Sequence, residues 1–178
     1  MPRDRALTYE DLRAAPDDGH RYELLDGVLV VTPAPDVPHQ VMVLALARLL
    51  WDAHPAGTAV VPAPVDWVPE PTTVLQPDVV VVDAAEVTEA HLTRTPLLVV
   101  EVLSPSTFRH DLGSKRLAYA GYGVPAYWVV DPEPPVTLVS FGLETDGYAE
   151  VARVAGHEPY EATVPFPVTV VPARLAEP

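Results

Sequence analysis

Two carboxylates interrupt the most apolar part of this chain. Asp78 stands at the head of Val79-Val-Val-Val82, and Glu101 lies inside Leu97-Leu-Val-Val-Glu-Val-Leu103. Each run is β-branched and continuous, the pattern of a strand buried on both faces. An ionised carboxylate is costly in such a place unless a metal, a base or a fixed hydrogen-bond network holds it. Two of them on consecutive core strands point to a metal site. Asp78 and Glu101 would supply hard oxygen ligands, with the backbone carbonyl of Val102 as a third, a set suited to Mg²⁺ or Mn²⁺. The chemistry that such an ion supports is hydrolysis of a phosphodiester, by polarising the phosphate and acidifying a water.

A lysine completes the constellation. On a helical wheel of about 100° per residue, Phe108, Leu112, Tyr119 and Tyr122 fall within about 80° of one another. Lys115 lies in the middle of that apolar stripe. A buried lysine needs an anionic partner, or must snorkel. Turned towards Asp78 and Glu101, it would orient the attacking water or neutralise charge in the transition state. Alternatively, it pairs with Asp111 one turn earlier at the helix edge. Ser104-Pro105-Ser106-Thr107 supplies N-caps for this helix and requires no functional reading.

The elements that must position these residues are legible in outline. Thr8-Tyr-Glu-Asp11 opens a short helix that ends near Pro16. Residues 21–26 and 28–32 form a hairpin about Asp26-Gly27. Apolar spacing makes 37–53 the longest helix. Strands are expected at 58–67, 74–83 and 96–103, a helix from about 108 to 121, and a strand at 126–131. A hairpin of 136–142 with 147–154 and a proline-interrupted β tail follow. This order predicts a mixed α/β (α+β) domain, with helices packed on a central sheet.

The whole chain, 1–178, is expected to be one domain, with a core over about 20–142 and a β-rich C-terminal extension over about 143–178. Its 22 prolines concentrate in 33–38, 62–77, 132–135 and 159–172, as rigid connections rather than flexible linkers. There is no cysteine, which excludes thiol catalysis and cysteine-based metal sites. No apolar stretch is long enough to span a membrane, and the N-terminus lacks a signal-peptide core, so a cytoplasmic protein is expected. The net charge of −14 argues against general adhesion to nucleic acid. A bound divalent cation would reverse the sign locally.

Other residues attract plainer readings. Asp26 is turn chemistry beside Gly27. His39 is a surface or capping residue at the head of the long helix, although one that could approach a phosphate. The six histidines are scattered, without the spacing of a zinc site. Asp83 and Asp131 end strands and satisfy loop backbone. Tyr119, Tyr122, Tyr127 and Trp128 are packing aromatics. There is no glycine-rich phosphate loop and no Gly-X-Ser-X-Gly elbow. Paired carboxylates could serve glycoside hydrolysis, but the inward lysine would then have no role.

Five stretches together resemble the Uma2 family of endonucleases, which has the PD-(D/E)XK restriction-endonuclease-like fold. They are Tyr22-Glu-Leu-Leu-Asp-Gly27, Gln76-Pro-Asp-Val79, Val100-Glu-Val-Leu-Ser-Pro-Ser106, Asp111-Leu-Gly-Ser-Lys115 and Gly123-Val-Pro-Ala-Tyr-Trp-Val-Val-Asp131. The resemblance implies a central mixed sheet flanked by helices, with extra β-hairpins. It also implies that Asp78 and Glu101 are the metal carboxylates and that Glu23 is a further acidic site residue. Leu103 stands where the superfamily pattern has lysine, and the lysine has moved to the following helix as Lys115. The expectation is a Mg²⁺- or Mn²⁺-dependent endonuclease acting on nucleic acid, DNA before RNA, as a homodimer. The alternative is a catalytically silent nuclease fold that serves as a dimeric binding module.

Overall fold

The computed structural model describes residues 5–16, 18–88, 90–104 and 110–177. Its centre is a six-stranded sheet, in the order β10-β9-β8-β7-β6-β3, formed by β3 (Thr58–Pro62), β6 (Val79–Asp83), β7 (Leu98–Val102), β8 (Ala126–Asp131), β9 (Thr137–Glu144) and β10 (Gly147–Ala155). Only β7 and β8 run parallel; the other neighbours are antiparallel. A four-stranded sheet, β2-β1-β5-β4, is built from β1 (His20–Leu25), β2 (Val28–Pro33), β4 (Trp67–Glu70) and β5 (Thr73–Leu75). The mixed architecture expected from the sequence is present.

Both faces of β6, β7 and β8 are buried, which is why these strands read as continuous apolar runs. On one face, Val79, Val81, Val100, Val102, Trp128 and Val130 pack with Met42, Leu46 and Leu50 of α2 (Val37–Ala53). Residues from β11 (Tyr160–Ala162), β12 (Val168–Val170) and α4 (Pro172–Leu175) close this layer. On the other face, Val80, Val82, Val99 and Leu103 meet Trp67, Tyr119, Tyr127 and Phe141. Asp36 caps α2 by accepting the His39 N–H at 2.9 Å, with Pro38 in the first turn where a missing N–H costs nothing. The short α1 (Tyr9–Leu12) starts with Asp11 accepting both the backbone N–H and the hydroxyl of Thr8.

Three expected elements differ. The strand expected at 58–67 ends at Pro62, because Pro62 and Pro64 have no N–H to continue a ladder. The one expected at 74–83 is two strands: β5 pairs with β1, and β6 with β3 and β7. The chain changes sheets at Gln76-Pro77-Asp78. The helix expected from about 108 is a π-helical turn over His110–Lys115 that passes into α3 (Arg116–Gly121). Leu112, placed on its apolar stripe by the wheel, is 36% exposed, because π geometry rotates the early residues off the α-helical face. Residues 105–109, with Phe108 and the expected N-caps other than Ser104, lie outside the described residues.

The β1–β2 hairpin turns on Asp26 and Gly27, both at positive φ (52° and 77°). A Cβ on Gly27 would sit 2.4 Å from Cβ of Ala6. Gly27→Ala therefore combines backbone strain with a collision. A loss of about 2 kcal/mol in urea unfolding is expected; an unchanged midpoint would contradict this account of the turn.

Candidate functional site

The change of sheets at Gln76-Pro77-Asp78 decides which side chains meet. The β6–β7 ladder ends at Val79 opposite Val100. The Leu103 N–H turns to Val130 on β8, so the peptide groups of Val102 face the other way, past the start of β6. Side chains satisfy them instead of a strand. Val102 N–H donates to Oδ2 of Asp78 at 2.9 Å, and the Val102 carbonyl accepts from Nε2 of His39 at 3.1 Å. Nε2 of His39 is also 3.2 Å from Oδ2 of Asp78. Arg21, half-buried on β1, reaches Oδ1 of Asp78 at 3.0 Å.

A second knot is built on the preceding residue of β7, Glu101. Lys115 projects inward from the end of the π-turn. Its Nζ is 3.0 Å from Oε1 of Glu23 and 3.0 Å from Oε1 of Glu101. The Tyr119 hydroxyl, one helical turn on, donates to the same Glu101 oxygen at 2.6 Å. Glu23 also accepts the Gln76 N–H at 2.7 Å, which ties this knot to the sheet-switching segment. Glu23, Asp78, Glu101 and Lys115 are all under 5% exposed, so each charge is held by protein rather than by bulk water.

The electrostatics follow from these contacts. Burial pushes the Asp78 carboxyl up, but His39, Arg21 and Lys115 outweigh it and bring it from its ordinary 3.8 down to about 2. Burial works against a charged His39, yet the hydrogen bond and charge of Asp78 raise its pKa overall. Burial, then the charges of Glu101 and Glu23, push the Tyr119 phenol well up, so it stays a donor.

All four residues expected from the sequence thus share one neighbourhood. Lys115 joins Glu23 to Glu101, and Asp78 grips the next residue along β7, Val102. The side chain of Asp111, the alternative partner, lies outside the described residues. Three further side chains take part: Arg21, Tyr119 and His39. Arg21 has the same alternation as Glu23 on β1, so it could have been placed beside it. Tyr119 follows Lys115 by four positions, which puts the two on one helical face. His39, expected as a surface or capping residue that could approach a phosphate, is buried at the end of β7; its place behind the Asp36 cap is the local signal.

Whether this set suits a divalent cation can be judged from its donors. Among the described residues no three His, Cys, Asp or Glu side chains already form a metal cluster. The carboxylates of Asp78 and Glu101 and the Val102 carbonyl are nevertheless the hard oxygens such an ion requires. Nε2 of His39 stands within 3.2 Å of both Oδ2 of Asp78 and the Val102 carbonyl, so these hard oxygens converge on one point. The donors fit.

Residues 8–172 match the family model of Uma2, described as "Putative restriction endonuclease". Among solved structures, the chain is similar to the crystal structure of a putative nuclease belonging to DUF820 from Anabaena variabilis ATCC 29413. Identity is 15%, the match covers 96% of this chain and 97% of that one, and the TM-score is 0.72, a likeness of fold. No curated protein matches the chain.

Two outcomes are expected from the charge network. Lys115→Met leaves two buried glutamates without their shared cation and should cost about 3 kcal/mol in denaturant unfolding; a loss near zero would mean that the pairs are not structural. For Asp78, a folded pKa below the unfolded one gives stability that is complete above about pH 4 and lost as pH falls through about 2. Its carboxyl ¹³C resonance should titrate near 2, contributing about 2 kcal/mol at neutral pH. A midpoint near 4 would contradict the assigned partners.

Proposed function

The chain belongs to the Uma2 family, and from that premise we propose that it is an endonuclease that cuts phosphodiester bonds of nucleic acid, DNA before RNA, with Mg²⁺ or Mn²⁺. The observation that carries this reading is the buried lysine held 3.0 Å from two carboxylates, one residue along β7 from the Asp78–Val102 contact. Asp78, Glu101 and the Val102 carbonyl would hold the ion. When bound, the ion supplies Lewis-acid polarisation of a phosphoryl oxygen and acidifies water.

The protein's own groups do the remaining work. Glu23 and Glu101 fix the Lys115 ammonium, so its charge is preorganised to orient an attacking water or to meet negative charge on the phosphate. Tyr119 holds the Glu101 oxygen and leaves Lys115 less freedom to turn away. Arg21, with 13% of its side chain exposed, offers a cation at the edge of the cluster. Three carboxylates meet two permanent cations, Arg21 and Lys115, with His39 able to supply a third positive charge, in a chain of net charge −14. A phosphodiester is repelled by the field of that net charge, which is why this reading requires a cation.

One observation favours a second reading, a nuclease fold that binds without cutting. Both Asp78 oxygens and Oε1 of Glu101 already accept hydrogen bonds or ion pairs from the protein. In that case the chain works as a dimeric interaction module, and the outer face of α2, with Val37, Leu44 and Trp51 exposed, offers a surface for association.

Plasmid and oligonucleotide cleavage with Mg²⁺, Mn²⁺ or EDTA separates the two. Cutting is expected with either ion and not with EDTA. Asp78→Ala or Glu101→Ala should lower the rate by about 10²–10³-fold or more, and Lys115→Ala by about 10² or more. A folded protein that cuts under none of these conditions would support the silent reading. Cutting that survives in Glu101→Ala would identify a contaminant.

A further inference from the structure

We infer that the imidazole of His39 is a direct ligand of the divalent cation and tilts this site towards Mn²⁺ over Mg²⁺; this rests on the metal-dependent reading of the same site. His39 is an unusual side chain to find there. It comes from the first turn of α2, on the opposite layer from Lys115, and is buried with Nε2 aimed between two oxygens. Those oxygens are Oδ2 of Asp78 and the carbonyl of Val102, both proposed ligands. One N–H proton serves both oxygens at 3.2 and 3.1 Å. Without that proton three electron-rich atoms would face one point, and a cation at that point satisfies all three.

The spacing has a second consequence. In an octahedral shell with bonds of about 2.1 Å, neighbouring ligands stand about 3.0 Å apart. Nε2 lies at nearly this separation from each oxygen. Its lone pair becomes available when the imidazole carries its hydrogen on Nδ1 rather than on Nε2. The position of the ring is fixed beforehand. Asp36 accepts the His39 backbone N–H, Pro38 stiffens the turn, and Met42 and Val43 of the same helix are core residues. A ligand already in place loses little freedom on binding.

Imidazole changes which ion the site prefers. Carboxylate and carbonyl oxygens suit Mg²⁺ and Mn²⁺ alike, whereas a nitrogen donor favours the transition metal. An all-oxygen site would have no such bias. His39 is therefore the residue that would set selectivity, while Asp78 and Glu101 supply the charge.

The test is Mn²⁺ and Mg²⁺ binding to the full chain by calorimetry, with electron spin echo spectroscopy of bound Mn²⁺. Wild type should bind one Mn²⁺ with ¹⁴N modulation, and Asp78→Ala should abolish binding. His39→Ala should lose the modulation and weaken Mn²⁺ by about tenfold or more, with Mg²⁺ changed by less than about threefold. If Asp78→Ala abolishes binding but wild type shows no ¹⁴N modulation, His39 is not a ligand, although the oxygen site stands. Equal losses for the two ions, or tighter binding in His39→Ala, would also overturn the inference, the latter marking His39 as a competitor. A wild type that binds neither ion would overturn both this inference and the function it rests on. Melting in EDTA reports whether His39→Ala folds; if it does not, the wild-type echo decides alone.

Discussion

The ammonium of Lys115, 3.0 Å from each of two buried glutamates, is the interaction on which the rest of the site depends. A charge this far from water must be compensated by protein, and both anions must arrive on rigid elements. Glu101 is fixed by its place in β7, with β6 on one side and β8 on the other. Glu23 is fixed by β1 and by the Gln76 N–H. Lys115 itself arrives from a π-helical turn, which α3 then continues. Removing any one of the three strands a charge in the interior, so the network specifies the relative placement of two sheets and a helix.

The segment Gln76-Pro77-Asp78 extends that constraint to the second half of the site. It leaves the four-stranded sheet after β5 and enters the six-stranded one at β6. In three residues it binds Glu23 through a backbone N–H and Val102 through a carboxylate. Proline at its centre can make no ladder bond, so the chain is free to change partners there. The β6–β7 ladder stops one step too early to satisfy Val102, and that shortfall creates the places filled by Asp78 and His39. The geometry of the candidate site and the end of the β6–β7 ladder are here the same feature.

Much of this could be read from residue types. The buried strands, the long helix and the Asp-Gly hairpin announce themselves through periodicity and turn chemistry. Asp78, Glu101 and Lys115 stand out because each is a charge where the pattern calls for an apolar residue. What escaped was long-range. Arg21 and His39 have ordinary local surroundings in the sequence, and only the packing of β1 and α2 against the end of β7 gives them a role. The π-turn was also hidden, since a wheel drawn at α-helical spacing placed Lys115 correctly but turned Leu112 to the wrong side. The break within 74–83 carried a signal, Pro77, that the β-branched residues on either side of it outweighed.

The most direct measurement is anomalous diffraction from crystals of the full chain grown with Mn²⁺. The account predicts a single strong peak about 2.2 Å from oxygens of Asp78 and Glu101 and from the Val102 carbonyl, with the Lys115 ammonium beside it. A folded protein in which Mn²⁺ binds elsewhere, or leaves these oxygens paired only with Arg21, His39 and Lys115, would contradict it.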